Sequence, residues 1–377
     1  MIDKTTQNSE EEIAKRRFPG IAVYLSPFRI VEDQKFEPWK VSMEEVNFLK
    51  WDYAELHRIV GGIEVGLREP FYLIVCRDGA LYLPWIEELR ADSKAVEFFN
   101  HCLSGLMLGG IYCEAVNSDN LDRASTLDWK YVRTIGPGAS LSNTFHFAIR
   151  YQYANPFQAS QLLNPRTVQF QDLKAAMGLG LEVLGKIPTL KGEYLLRGIT
   201  GLSRRDWGSS LANLWIVVEQ ILQAIWGNQI LKPMSLDETA KERLAQLRDT
   251  RTWTAANRIE LLTQKGIIPE ECIRDLSIAR KARNALSHTG KHPSQDDAKA
   301  AYRAISAMIT ISLEGQRPPL LDMDLFNHFM TDPFTQRKEA ITPTHWLPIP
   351  KLPGEAELEL AEAKLRSTMS VVEKDAK

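Results

Sequence analysis

Cysteine is scarce in this 377-residue chain, and the four present, Cys76, Cys102, Cys113 and Cys272, fall at spacings that match neither paired zinc ligands nor a disulfide framework. Reduced thiols are expected, with no metal site; His101, near Cys102 and Cys113, has no evident fourth ligand. Long apolar runs are also absent, and none approaches the ~20 residues that a bilayer span needs. The opening MIDKTTQNSEEEIAKRR lacks the apolar stretch of a signal peptide, so a cytoplasmic protein is expected, with no membrane partner. A surplus of positive charge is missing too: the formal net charge is −2, and any affinity for nucleic acid must therefore be local. There is no H-E-x-x-H, no Walker lysine motif and no G-x-S-x-G, and no internal repeat. GLGLEVLG at 178–185 has the wrong spacing for a phosphate-binding loop, and no clear strand precedes it. No cofactor is expected.

What is present divides the chain by texture. Residues 1–17 hold almost nothing apolar to bury and are expected to be disordered. Residues 18–165 read as an α+β domain. Short β-type runs at 21–25, 71–76, 80–85, 111–116 and 131–135 alternate with helical stretches near 42–60 and 93–108. Turn signals at RDG 77–79, GG 109–110 and GPG 136–138 separate them. In TFHFAIRYQY, residues 144–153, Phe145, Phe147, Ile149, Tyr151 and Tyr153 alternate with His146, Arg150 and Gln152, which predicts a half-buried strand with an aromatic core face.

Residues 166–314 carry helical periodicity and predict an all-α bundle, so the fold class is α+β followed by a predominantly helical C-terminal half. In SSLANLWIVVEQILQAIW, Leu211, Leu214, Trp215, Val218, Leu222 and Ile225 make a buried stripe. A second helix ends at Gly266, a third runs from Pro269 to Gly290, and a fourth starts at the serine cap of SQDD after Pro293. Residues 315–352 are proline-rich and read as an extended strap packed on a surface. Residues 353–377 read as an amphipathic helix and tail, with Leu358, Ala361, Leu365 and Met369 on one side.

The third helix ends in RKARNALSHTGKH, residues 280–292. Asn284 and His288, four apart, share a helix face, and Arg283 flanks it. Arg283 and His288 stand ~140° apart around the axis, so one straight helix does not aim both at one atom. Fraying of the helix end, or a second copy of the helix, would bring them together. An imidazole moves protons near neutral pH, a guanidinium meets charge on phosphoryl oxygens, and an amide orients a ligand oxygen. That set suits cleavage of RNA without a metal, because RNA brings its own 2′-hydroxyl nucleophile. Between Arg274 and Lys291, the basic residues Arg274, Arg280, Lys281, Arg283 and Lys291 face a single acid, Asp275. Arg280, Lys281 and Lys291 thus form a modest footprint for a phosphate backbone, to which Arg204 and Arg205 add. The plainer alternatives are a helix-end histidine favoured by the macrodipole and a structural partnership between Arg283 and a buried Glu219.

RNALSH, preceded by WGSSLANLWIVVEQIL with Glu219 inside its apolar stripe, resembles the HEPN superfamily of helical ribonucleases, and the Apea-like HEPN branch in particular. The likeness covers residues 194–313. It implies a catalytic pair of Arg283 and His288, a positioning role for Asn284, a supporting role for Glu219, and a homodimer with two motif helices across a shared cleft. It also implies an endoribonuclease with an RNA substrate, such as a toxin-like effector of antiviral defence. Residues 18–165 would then sense a trigger, bind a partner or select the substrate. Two other functions stay open: a non-catalytic dimerisation or scaffold module, and a nucleotide or nucleic-acid sensor using the aromatic residues at 145–153.

Overall fold

A computed structural model describes residues 18–68, 70–134, 140–234 and 241–325, together with 360, 361 and 363. The chain divides into two compact units, Met1–Gln336 and Arg337–Lys377. In the second, helical backbone is described at Leu360, Ala361 and Ala363, within the expected amphipathic helix. The expected disordered start, the turn at 136–138 and the strap beyond 325 lie outside the described residues. Of the strap, Pro319–Asp322 forms a 3-10 turn with Leu320 fully buried.

The first unit is α+β in its N-terminal half and predominantly helical after it. Strands β1 (Pro19–Tyr24), β3 (Ile59–Ile63), β4 (Leu73–Cys76), β5 (Ala80–Pro84), β6 (Asp122–Leu127) and β7 (Tyr131–Thr134) form an antiparallel sheet in the order β3-β4-β5-β1-β6-β7. The sheet curls until its ends meet. Ile59 N donates to Lys130 O at 2.7 Å and Val132 N to His57 O at 2.9 Å, which occupies edges that would otherwise expose unpaired backbone. Strand β2 (Arg29–Glu32) pairs in parallel with β8 (Arg166–Gln169).

Period two sorts β1 between two cores. Ile21, Val23 and Leu25 join the main cluster, while Ala22 and Tyr24 join a smaller one with Ala80, Tyr82, Ala124 and Val132. Register matches large to small in that second layer, since Ala22 pairs with Tyr82 and Tyr24 with Ala80. Packing of this kind is how a small sheet fills its enclosed face without voids.

The helices of ten residues or more are α1 (Asp92–Leu108), α2 (Leu141–Arg150), α3 (Phe170–Lys186), α4 (Gly192–Ser203), α5 (Trp207–Trp226), α6 (Ala255–Gln264), α7 (Glu270–Thr289) and α8 (Gln295–Ser312). Helix α1 of the sheet half packs on α3 and α4, and a single apolar core runs from Ile21 to Leu325 through both halves. The glycine-rich stretch 178–185 sits in α3, where Gly180 lets the backbone of α1 approach: a Cβ there would lie 1.8 Å from Gly105 O. Close helix crossing, and no ligand loop, accounts for that glycine. Helix α5 is the centre of the bundle, flanked by α4, α6, α7 and α8. Ser294 caps α8 in a reciprocal pair with Asp297, as the sequence SQDD indicates.

Three expectations for the sheet half fail. Residues 144–153 form no strand: they lie in α2, capped by Ser140, and in the turn after it. The deciding residues are polar. Asn143, His146 and Arg150, at helical spacing, share the buried face with Ile149, Phe145 packs at its border, and Tyr151 and Tyr153 are exposed. The run 111–116 is extended but unpaired by strands; Ala115 N donates to Thr200 Oγ1 and Val116 N to Asn100 Oδ1, so helices α4 and α1 hold it. The helical stretch 42–60 resolves into two short helices, Met43–Asn47 and Tyr53–Leu56, before β3 begins.

Candidate functional site

Helix α7 begins at Pro269, whose fixed φ suits a helix start, and carries Glu270 and Glu271 in the first turn, where the helix dipole favours acids. Cys272, Asp275, Leu276 and Ala279 form its buried stripe. Asp275 accepts two hydrogen bonds from Arg303 of α8, at 3.0 and 2.7 Å, which ties the two helices together. Beyond Ala279 no residue of α7 is buried. The helix nevertheless stays intact to Thr289 and stops at Gly290, in the left-handed region at φ 67°, whose N–H donates to Leu286 O.

This last stretch of α7, half-buried on one side and exposed on the other, carries the predicted site. Asn284 and His288 are exposed, on a surface stripe shared with Arg274, Ile278 and Lys281. Arg283, seven residues after Leu276 and four after Ala279, continues the buried stripe and emerges half-buried where the bundle ends. Its Nη1 donates to Asn284 Oδ1 at 3.3 Å. Arg283 and Asn284 are thus brought together, and His288 is not. The helix does not fray, so within one protomer the guanidinium and the imidazole stay ~140° apart around the axis.

The supporting residues divide. Glu219 is exposed, not buried as the sequence reading has it, and it accepts the Trp215 indole N–H at 2.7 Å in place of a bond from Arg283. At helical spacing the carboxylate sits one turn beyond the ring it satisfies, and the core-facing position belongs to Trp215. Arg204 is paired with Glu114 at 2.6 Å, and that carboxylate also accepts from Ser26. Its charge ties the end of α4 to the 111–116 segment. Arg205, next to it, has a positive φ of 60° at the turn into α5. Lys281 and Lys291 are exposed and Arg280 is half-buried.

A second polar constellation was not visible in the sequence. Asp78, in the RDG turn between β4 and β5, is fully buried and accepts from Arg150 Nε and Nη2, each at 2.7 Å. His146 Nδ1 lies 2.9 Å from the same carboxylate, and the Tyr24 ring stacks on the imidazole at 4.0 Å. Burial pushes the Asp78 carboxyl up, but the charge of Arg150 and the hydrogen bonds from His146 and Arg150 outweigh it and hold the group well below the usual carboxylate range. Burial depresses His146, and Asp78 offsets only part of that. His57, between Val132 O and Arg150 O, is depressed by burial and then by Arg150. Arg150 Nη1 also donates to Val132 O, so the network fastens α2 to the sheet. One signal was available: His146 and Arg150, four apart, fall on one helix face together with Asn143.

Among the described residues no three His, Cys, Asp or Glu side chains gather as metal ligands, and the four cysteines are buried free thiols. No described helix is long and apolar enough to cross a membrane. No family model matches the chain, and no curated protein or solved structure matches it significantly.

Proposed function

We propose that this chain is a metal-independent endoribonuclease of HEPN type that works as a homodimer, with each site shared between two α7 helices. The observation that carries the proposal is the C-terminal end of α7: a continuous helix whose inner side stays half-buried through Leu286, with Ala282 on the core, presents Asn284 and His288 exposed on its outer side, with Arg283 at the edge. Neither Arg283 nor His288 has an ion pair with any described residue. A phosphodiester would therefore meet a guanidinium that no described carboxylate has already neutralised, with an exposed imidazole on the same helix.

In the proposed reaction His288 takes the proton of the RNA 2′-hydroxyl, whose oxygen attacks the adjacent phosphorus. The bond to the 5′ oxygen breaks and that oxygen takes the proton from the His288 imidazolium, which returns the imidazole to its neutral form and leaves a 2′,3′-cyclic phosphate and a 5′-hydroxyl. Arg283 of one protomer faces His288 of the other across the dimer axis and meets the charge on the non-bridging oxygens. Asn284 holds Arg283, and Lys281 and Lys291 hold the backbone on either side. A toxin-like role in antiviral defence follows from the resemblance alone, and the cytoplasmic setting is the one expected from the sequence.

The test is incubation of the protein and its His288→Ala variant with total RNA and with tRNA in EDTA, followed by mapping of the cut ends. Cyclic-phosphate ends that survive EDTA and vanish in the variant are the expected result. Cleavage that persists without His288 contradicts it.

A second reading, a binding module without chemistry, draws on the sheet half. Phe147 packs against Tyr151 at 4.5 Å and Tyr153 at 5.6 Å, and both tyrosines are exposed, a surface of the kind that stacks bases or anchors a partner.

A further inference from the structure

A groove of about 800 Å³ lies where the two halves meet, bounded by the segment after β3, by α1, and by the connection from α3 to α4. That volume falls in the range of small-molecule sites. Its apolar walls include Leu89, Phe98, Leu181, Leu184, Leu190 and the ring of Tyr194.

The charges around it nearly cancel in pairs. Lys94 bonds Glu97 at 2.8 Å, Arg68 lies 3.8 Å from Glu88, and Arg197 bonds Glu193 at 2.9 Å. Lys191, exposed on the rim at the start of α4, is in no ion pair with a described residue. His101 lines the same groove, and its pKa is lowered by desolvation and then by the charge of Lys191, so it adds no lasting positive charge at neutral pH. The groove therefore carries a surplus of one positive charge, at Lys191 with the Glu97 carboxylate in electrostatic reach, beside an apolar trough. Charge complementarity asks for one anionic group, and the walls ask for an apolar body.

We infer that this groove is a binding site for a small organic anion with an apolar or aromatic body, its charged group at Lys191 and its body between α1 and α3. The site is independent of Arg283, Asn284 and His288, so its success or failure leaves the proposed ribonuclease untouched. Because it is walled by both halves, an occupant would contact the sheet half and the helical half together.

Gly185 supplies a clean probe. It lines the groove from α3, and a Cβ placed there meets nothing within 4 Å, so a large side chain can be set at the groove wall without a clash at Cβ. The experiment titrates the full chain with anilinonaphthalene sulfonate, an aromatic anion, and with phenylnaphthylamine, its uncharged relative, following fluorescence. Circular dichroism confirms that each variant is folded. The expected result is saturable binding of one sulfonate per chain. Lys191→Glu weakens the sulfonate by about tenfold or more while changing the neutral probe less than about twofold, and Lys191→Gln gives a smaller loss of the same kind. Gly185→Trp weakens both probes by about tenfold or more. The inference is overturned by absence of saturable binding, by sulfonate affinity unchanged in both Lys191 variants, or by a Gly185→Trp protein that binds both probes as before.

Discussion

His146 and Arg150 on α2, four residues apart, and Arg283 and His288 on α7, five apart, are two arginine and histidine pairs, yet the molecule treats them in opposite ways. The α2 pair is fully buried and converges on one carboxylate, Asp78. The α7 pair lies beyond the last buried turn and has no described acid to meet. A buried cation must be matched at once by an anion, because removal from water costs several kcal/mol; an exposed cation at a helix end carries no such demand. The first pair therefore spends its interactions holding a helix to a sheet. The second keeps them for something outside the protomer.

Breaking each pair should separate the two roles. Asp78→Ala leaves Arg150 charged and buried, with an expected loss of about 3–5 kcal/mol of stability in urea unfolding. His288→Ala, by contrast, should change stability by less than about 0.5 kcal/mol. Equal effects at the two positions would erase the distinction.

Acid provides a second separation. His57 and His146 have folded pKa values below their unfolded ones, so the stability tied to their neutral forms is present above the unfolded value and is lost as pH falls through it. Asp78 is also depressed, and its contribution is lost at lower pH, as its carboxyl is finally protonated. Urea unfolding at pH 7.5 and at pH 5.5 should thus show a weaker fold in acid, and Asp78→Ala, which removes a carboxylate that raises both imidazoles, should not narrow the gap. Stability that is flat between those pH values would contradict the burial of the two imidazoles.

The smallest expected effects concern the paired and unpaired surface cations. Lys281→Ala should weaken RNA binding and reduce the salt slope by about one ion. Arg204→Ala, which removes a charge already neutralised by Glu114, should leave the slope unchanged in the same titration.

The helical half was the more legible in sequence because its signals agree. Helix α5 has a stripe at 3 and 4 spacing, α6 ends beside Gly266, α7 starts at Pro269 and stops at Gly290, and α8 begins with a reciprocal cap. In the sheet half local signals conflict. Tyr151 and Tyr153 extend the aromatic alternation of α2 beyond its end, so the pattern imitates a strand, and the anchor that makes it a helix, Asp78, is 68 and 72 residues away in sequence. Strand β6, with Asp122 and Thr126 buried among its residues, has too little apolar alternation to stand out. At the candidate site the residue types and the helix were legible. The exposure of Glu219 was not, because helical spacing places it beside an apolar stripe without saying on which side of Trp215 it falls.

The shared site is tested most directly by mixing. Arg283→Ala and His288→Ala proteins are each expected to be inactive in cleavage of tRNA in EDTA. Co-refolded in equal amounts, they should regain about a quarter of the wild-type rate, because half the dimers are mixed and each mixed dimer holds one complete site of two. A mixture as inactive as either variant alone, formed from protein that still dimerises, would contradict a site built from two α7 helices.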